Sequence, residues 1–316
     1  MRISICCKDL DSESKLKPWL TQFSDAFPGA VVENWTPGAA PADYAVVWMP
    51  PQQFFDEQVA LKGVFNTGAG VDALLKLDLP GGVPVVRLDD AGMAVQMAEY
   101  VCHAVIRHFR ELDVYDAEQA ASNWVYRKTR RRADFPVGVL GLGVLGERVA
   151  KALSVFDFPV NGWSRSPRPA AAMPGIRLFS GDEGFGEFLA ATKVLVCLLP
   201  LTPQTENILN RDNLSKLQAD AYVVNVARGA QLVDDDLLAL LDSGRLAGAT
   251  LDVFRTEPLP PDHAFWTHPK ITVTPHTSAR TLREETIAQI AAKIAALESG
   301  GPLDAIAGAV DRQKGY

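Results

Sequence analysis

Short apolar runs alternate with more polar stretches over the first hundred residues. Ile3–Cys7, Val31–Trp35, Ala45–Trp48, Val64–Asn66 and Val83–Leu88 read as strands, and helices fit the intervals around Leu16–Phe23 and Gln58–Leu61. Strand and helix in alternation predict a parallel α/β sheet. From Met93 to Leu112, Ala, Val and Ile recur on one face while Arg107, His108, Arg110 and Glu111 lie elsewhere. That period predicts one long amphipathic helix packed against a domain. After a basic stretch from Arg127 to Arg132 the pattern restarts. Strands are expected at Val137–Leu140, Pro159–Trp163, Val194–Leu198, Tyr222–Val226, Ala249–Leu251 and Ile271–Thr274, with helices up to Phe156, over Gly184–Ala191, over Asp234–Ser243 and over Leu282–Glu298. No fixed repeat runs through the chain, which argues against a solenoid.

A length of 316 residues favours two domains, and 47% hydrophobic with 22% charged residues is enough to build a core in each. The net charge of −7 disfavours nucleic acid as a partner, because counterion replacement needs a basic face. Any anion must then be held by a local cluster of arginines. The four cysteines, Cys6, Cys7, Cys102 and Cys197, have neither zinc-ligand nor redox-pair spacing and read as reduced core thiols, so no metal is expected. The N-terminus turns charged too early for a signal peptide, and no apolar run is long enough to span a membrane. A cytoplasmic location is expected.

Gly141-Leu142-Gly143-Val144-Leu145-Gly146 follows a predicted strand and opens a predicted helix. In that setting Gly141 permits the tight turn, Gly143 lets a pyrophosphate approach the backbone, and Gly146 lets helix and strand pack closely. The helix N-terminus offers free N–H groups to phosphates. At the end of the next strand an NAD site usually carries a carboxylate for the ribose. Here the chain reads Ser164-Arg165-Ser166-Pro167-Arg168. Two guanidiniums and two hydroxyls suit a 2′-phosphate, so NADPH is expected and NADH disfavoured.

Three further segments each end a predicted strand, where a doubly wound sheet opens onto its ligand crevice. They carry Arg228, Glu257 and His276. Singly, each has a bland reading: a surface arginine, a turn residue before Pro258, a loop histidine. Together they suit reduction of a keto acid. Arg228 can clamp a carboxylate and stabilise the charge growing on a carbonyl oxygen. His276 can supply the proton, with Glu257 orienting its ring and favouring the imidazolium.

On Val139–Gly146, Asn225-Val226-Ala227-Arg228-Gly229, Leu251-Asp252-Val253-Phe254, Glu257-Pro258-Leu259-Pro260 and Thr274-Pro275-His276, the chain resembles the D-isomer-specific 2-hydroxyacid dehydrogenases, in particular their glyoxylate/hydroxypyruvate reductase A branch. The likeness extends to Ala45–Pro51, Gly68–Asp72, Gly92-Met93, Gln96-Met97, Glu99-Tyr100, Phe265-Trp266 and Gly315-Tyr316. It implies an α/β protein of two Rossmann-like domains: a doubly wound parallel-sheet NAD(P)-binding domain over residues 99–283, and a flavodoxin-like substrate domain over 1–98 plus 284–316. It implies a homodimer reducing small 2-keto acids, with Arg228, Glu257 and His276 in the roles above. It further implies that Trp48, Met49, Trp266 and the backbone of Ala69, Gly70 and Val71 serve the substrate. Leu199, Pro200, Thr205, Val226, Ala227, Asp252 and Ser278 would join the glycine turn (with Val144 and Leu145) and the Ser164–Arg168 segment at the cofactor. Trp124 lies where related reductases reach into a partner subunit. Asn66-Thr67 departs from the family, where apolar residues are common.

Two other readings stay open. One is an NAD-dependent dehydrogenase of another 2-hydroxy acid, or of formate or phosphite. The other is a non-catalytic dinucleotide-sensing protein, disfavoured by retention of all three catalytic candidates.

Overall fold

The apolar runs form two separate all-parallel sheets in the computed structural model, which describes residues 1–301 and 306–316. Each sheet belongs to its own compact unit, Met1–Met93 with Arg280–Tyr316 and Ala94–Ala279.

The first unit is built from β1 (Arg2–Cys7), α1 (Glu13–Ala26), β2 (Val31–Asn34), β3 (Tyr44–Trp48), α2 (Gln52–Glu57), β4 (Gly63–Asn66) and β5 (Val85–Val86). The strand order β2-β1-β3-β4-β5 is the flavodoxin-like one. Two expectations need correction. The helix expected at Gln58–Leu61 lies earlier, as α2, because Phe54 and Phe55 are the residues that bury. Gln58 instead ends that helix, and its buried side chain accepts from the Ala42 amide at 2.7 Å. The strand expected over Val83–Leu88 pairs only at Val85–Val86; beyond it, Arg87 donates to Gly308 from the returning chain.

The second unit contains α3 (Met93–Phe109, all but its first residue), α4 (Leu112–Ala120), β6 (Val137–Leu140), α5 (Val144–Val155), β7 (Val160–Ser164), β8 (Ile176–Ser180), α6 (Gly181–Ala190), β9 (Val194–Cys197), α7 (Arg211–Leu214), β10 (Ala221–Asn225), α8 (Asp234–Asp242), β11 (Leu246–Leu251) and β12 (Ile271–Val273). The order β8-β7-β6-β9-β10-β11-β12 reverses direction between β6 and β9, the switch point at which a doubly wound sheet binds its ligand. Successive strand residues feed opposite cores, as period-two side chains must. Val194 and Val196 join Met97, Val101 and Val105 of α3 and Val149 and Leu153 of α5. Leu195 and Cys197 join Phe188 of α6 and Leu237 and Leu241 of α8.

The single helix expected over Met93–Leu112 breaks in two. Glu111 takes a left-handed φ of 54°. Its largely buried carboxylate accepts from Arg127 at 2.8 and 3.0 Å and pairs with Arg130 at 2.8 Å. Charges arriving from the following segment therefore fix a break that apolar periodicity does not encode. The edge strand β8 was also absent from the expected set.

The chain re-enters the first unit through α9 (Arg283–Glu298), which lies against α1. Lys293 of α9 donates to Arg87 O at 2.8 Å and pairs with Asp89 at 2.9 Å, tying the helix to the end of β5. Among the described residues no helix is long and apolar enough to cross a membrane.

Candidate functional site

The glycine turn joins β6 to α5 at the switch point. Gly141 has a φ of 105°, open to glycine, and a Cβ there would lie 2.9 Å from the Leu198 carbonyl carbon. A Cβ on Gly146 would overlap the Gly141 carbonyl oxygen, so α5 approaches β6 only because that side chain is missing. Gly143, the residue capping α5, is different: a Cβ there meets nothing within 4 Å. The backbone faces open space at the point where a pyrophosphate would need to approach, beside the free N–H groups of Val144 and Leu145. These residues fit a dinucleotide.

Beyond β7 the loop turns on itself, Ser164 Oγ donating to Ser166 O at 2.8 Å. Arg165 and Ser166 are exposed. Arg168 meets a carboxylate that its own segment lacks: Glu147, from the first turn of α5, lies 3.5 Å away and also pairs with Lys151 at 2.6 Å. The Lys151 hydrogen bond holds the Glu147 carboxyl below its ordinary range despite partial burial.

The turn after β9 is held from inside. Thr205 Oγ1 donates to Pro200 O at 2.7 Å and accepts from the Thr202 amide at 2.8 Å, so its hydroxyl is spent within the loop. Gln231, fully buried, donates from Nε2 to Leu199 O at 3.0 Å and Pro200 O at 3.2 Å. Its Oε1 accepts from the Arg228 amide at 3.2 Å and the Cys197 thiol at 3.4 Å. On the other side Asn225 Nδ2 donates to Arg228 O at 3.1 Å, and its Oδ1 accepts from the Ala227 amide at 3.2 Å. Two side-chain amides thus fix both polar groups of the Arg228 backbone. Sequence reasoning had not singled out Gln231; a buried amide three residues past an arginine carries no periodic signal.

Gly229 presses the Arg228 segment onto the next strand end, for a Cβ there would collide with the Phe254 backbone. The Phe254 amide in turn donates to Glu257 Oε1 at 3.0 Å, and Glu257 Oε2 meets His276 Nδ1 at 2.8 Å. Burial pushes the Glu257 carboxyl up, but the hydrogen bonds from His276 and Phe254 and the charges of His276 and Arg228 outweigh it and hold it below its ordinary range. Arg228, Glu257 and His276, from three separate strand ends, therefore converge. The Glu257-Pro258 peptide is cis.

His276 adopts a left-handed φ of 50°. Its amide donates to Asp252 O at 2.8 Å. The Asp252 carboxylate, wholly buried, accepts from Thr274 Oγ1 at 2.5 Å and from the amides of Thr277 and Ser278 at 2.9 and 2.8 Å. Tyr100 from α3 completes the strap through Thr274 at 2.5 Å. Asp252 thereby acts on the site through the loop it ties. Val226, Ala227, Leu199 and Ser278 are buried around these turns. Trp266 is half exposed, its indole N–H donating to Pro260 O at 2.8 Å. Trp124 is fully exposed. Among the described residues no group of acidic, histidine and cysteine side chains could hold a metal ion.

In the first unit, Trp48 ends β3 and its ring lies over Gly68, where a Cβ would approach it to 2.5 Å. Met49 follows with a φ of 48° and an exposed side chain. Asn66, the departure from the family, is buried and donates from Nδ2 to both Gly68 O and Gly70 O at 2.9 Å. One amide thus shapes the turn carrying Ala69, Gly70 and the buried Val71.

A sequence profile of the D-isomer specific 2-hydroxyacid dehydrogenase NAD binding domain matches residues 102–278. The glyoxylate/hydroxypyruvate reductase A of Yersinia enterocolitica is 46% identical over 308 residues, 95% of this chain and 96% of that one. Its namesake in Serratia proteamaculans is 47% identical, over 94% and 96%. Among solved structures, a D-isomer specific 2-hydroxyacid dehydrogenase from Xanthobacter autotrophicus in complex with NADPH and MES superposes with a TM-score of 0.91 at 37% identity, covering 99% of each chain. The NADPH-dependent glyoxylate/hydroxypyruvate reductase of Sinorhizobium meliloti, in complex with NADP and sulfate, gives 0.91 at 35% identity over 100% and 99%. By profile, by identity along nearly its whole length and by fold, the chain belongs to the D-isomer-specific 2-hydroxyacid dehydrogenase family.

Proposed function

We propose that this protein reduces small 2-keto acids, glyoxylate and hydroxypyruvate foremost, to 2-hydroxy acids with NADPH. The observation that carries this reading is the 2.8 Å contact of His276 Nδ1 with a Glu257 carboxylate that also feels the charge of Arg228. NADPH supplies the hydride. Arg228, its backbone clamped, grips the substrate carboxylate and faces the negative charge growing on the carbonyl oxygen. Glu257 takes the Nδ1–H of His276, which leaves Nε2 as the atom that gives its proton to that oxygen. Afterwards the ring keeps its Nδ1–H on Glu257 as the neutral tautomer.

In this reading the second unit binds the dinucleotide through Gly141, Gly143, Gly146 and the Ser164–Arg168 loop. The family resemblance assigns Trp48, Met49, the Ala69–Val71 turn and Trp266 to the keto acid. The named relatives that reduce glyoxylate and hydroxypyruvate support the substrate class, and those solved with NADPH or NADP support the cofactor. We also infer a cytoplasmic homodimer. The four free thiols suit a reducing compartment, and the exposed side chains of Trp124, Val125 and Tyr126 suit burial against a second copy.

Steady-state kinetics with glyoxylate, hydroxypyruvate, pyruvate and phenylpyruvate, each with NADPH and NADH, test the proposal. Highest efficiency is expected for glyoxylate or hydroxypyruvate with NADPH. His276→Ala should lower turnover by roughly two to four powers of ten, the worth of a positioned general acid. Tight NADPH binding without turnover of any of the four acids would refute the reductase reading.

A further inference from the structure

We propose that Glu147 is a specificity-determining residue: its carboxylate sits on Arg168 and, as a competing anion, weakens the grip of that guanidinium on the cofactor's 2′-phosphate. This rests on the NADPH reading above. In that reading the Ser164–Arg168 loop carries two arginines, two serines and no carboxylate, so no charge within it opposes a phosphate. The folded chain brings in an opponent from elsewhere. Glu147 projects from the first turn of α5, directly after the glycine turn, and reaches Arg168 at 3.5 Å across twenty-one positions of sequence.

A carboxylate next to a phosphate-binding arginine can act in two opposed ways. It can hold the guanidinium in place for the ligand, or it can occupy and neutralise it. The geometry decides between them. At 3.5 Å the Arg168 contact is at the long limit of a hydrogen bond, and both side chains are about a third exposed, at 33% and 34%. Such a pair restrains a long side chain weakly. The shorter bond of Glu147 is to Lys151, at 2.6 Å and one turn along the same helix, so the carboxylate keeps a partner near Arg168 whether or not Arg168 leaves it. A 2′-phosphate arriving on Arg168 therefore shares the guanidinium with a second negative charge. Repulsion between like charges in a wet, partly exposed site costs roughly three- to tenfold in affinity. NADH, lacking that phosphate, escapes the penalty. Glu147 thus narrows the preference for NADPH that Arg165 and Arg168 create.

Binding of 2′,5′-ADP and of ADP, measured by calorimetry on the full chain, isolates the 2′-phosphate without catalysis. In Glu147→Gln the ratio of Kd for ADP to Kd for 2′,5′-ADP should rise roughly three- to tenfold, and the gain should shrink as salt is raised from about 50 to 300 mM. Glu147→Ala should move the ratio the same way, since the charge and not the hydrogen bond is at issue. A ratio that is unchanged or lower in both variants overturns the proposal. So does a ratio that falls in Glu147→Ala alone, because Glu147 would then be holding Arg168 in place. If the unaltered protein itself binds ADP as tightly as 2′,5′-ADP, the NADPH reading fails with it. If the unaltered protein prefers 2′,5′-ADP and the variants do not differ from it, only the role of Glu147 is refuted.

Discussion

Gln231→Glu changes almost no volume and converts one buried amide into a titratable group. The side chain is wholly buried, with Oε1 accepting from Arg228 and Cys197 and Nε2 donating to two carbonyls, Leu199 O and Pro200 O. An introduced carboxyl can reproduce the acceptor side. On the donor side a neutral carboxylic acid can satisfy one carbonyl with its O–H, losing one hydrogen bond worth about 1 kcal/mol. An ionised carboxylate satisfies neither and turns a full negative charge towards two carbonyl oxygens. Burial and those oxygens raise the folded-state pKa above the unfolded value of about 4.3, by as much as roughly 3–5 units for a fully buried group. The linkage then has a definite sign. Below about pH 4 the acid is protonated in both states, and only the lost hydrogen bond separates the variant from the parent. As pH rises between the unfolded and folded pKa values, the variant loses about 1.4 kcal/mol per unit relative to the parent. Urea titrations at about pH 5, 6 and 7 should therefore show a stability gap widening by roughly 3 kcal/mol over that interval. A gap that stays constant would mean that the position is hydrated, and the amide bracket around Arg228 would have to be abandoned.

Two further substitutions probe other parts of the fold. His108 stacks on Tyr222 with ring centroids 4.2 Å apart, and its pKa is pushed down to about 4 by burial and by the charge of Arg130. A histidine whose folded pKa is depressed contributes stability that is complete above about pH 6.5 and lost as pH falls through the folded value. In His108→Phe the loss of stability between about pH 6.5 and 4.5 should therefore be smaller than in the parent by about 2 kcal/mol, and an identical acid profile would refute the assignment. Asn66→Leu removes the donor to Gly70 O and leaves Gly68 O with only the 3.3 Å bond from the Leu88 amide, and should cost roughly 1–3 kcal/mol. Thermal unfolding should register it, and an unchanged midpoint would show that the turn needs no amide.

The sequence was most informative where chemistry sits at the ends of strands. The three glycines of the turn, and Arg228, Glu257 and His276, each follow an apolar run whose length marks the strand, so their places beyond strand ends were legible before any coordinates. What escaped is what depends on side chains crossing between elements. Glu147 lies twenty-one positions from Arg168, on a helix whose period gives the face but not the reach of a carboxylate. Gln231 reads as an ordinary polar residue until the loop after β9 folds over it. Asn66 was visible as an oddity, yet its purpose needed the carbonyls of Gly68 and Gly70 in place. The break at Glu111 was hidden by an apolar stripe that continues smoothly through it, since the arginines responsible come from sixteen and nineteen positions further on. The edge strand β8 has only two fully buried positions, Ile176 and Phe179, too few to stand out.

The strap around Asp252 bears on how fast the chemistry can begin. Because four of its hydrogen bonds run to Thr274, Thr277, Ser278 and, by its carbonyl, His276, that histidine sits on main chain whose freedom was surrendered during folding. An incoming keto acid then has little ordering of this loop left to do, and the entropy of assembling the reactants is correspondingly reduced. Motions that limit turnover should consequently arise elsewhere than in the segment bearing the imidazole.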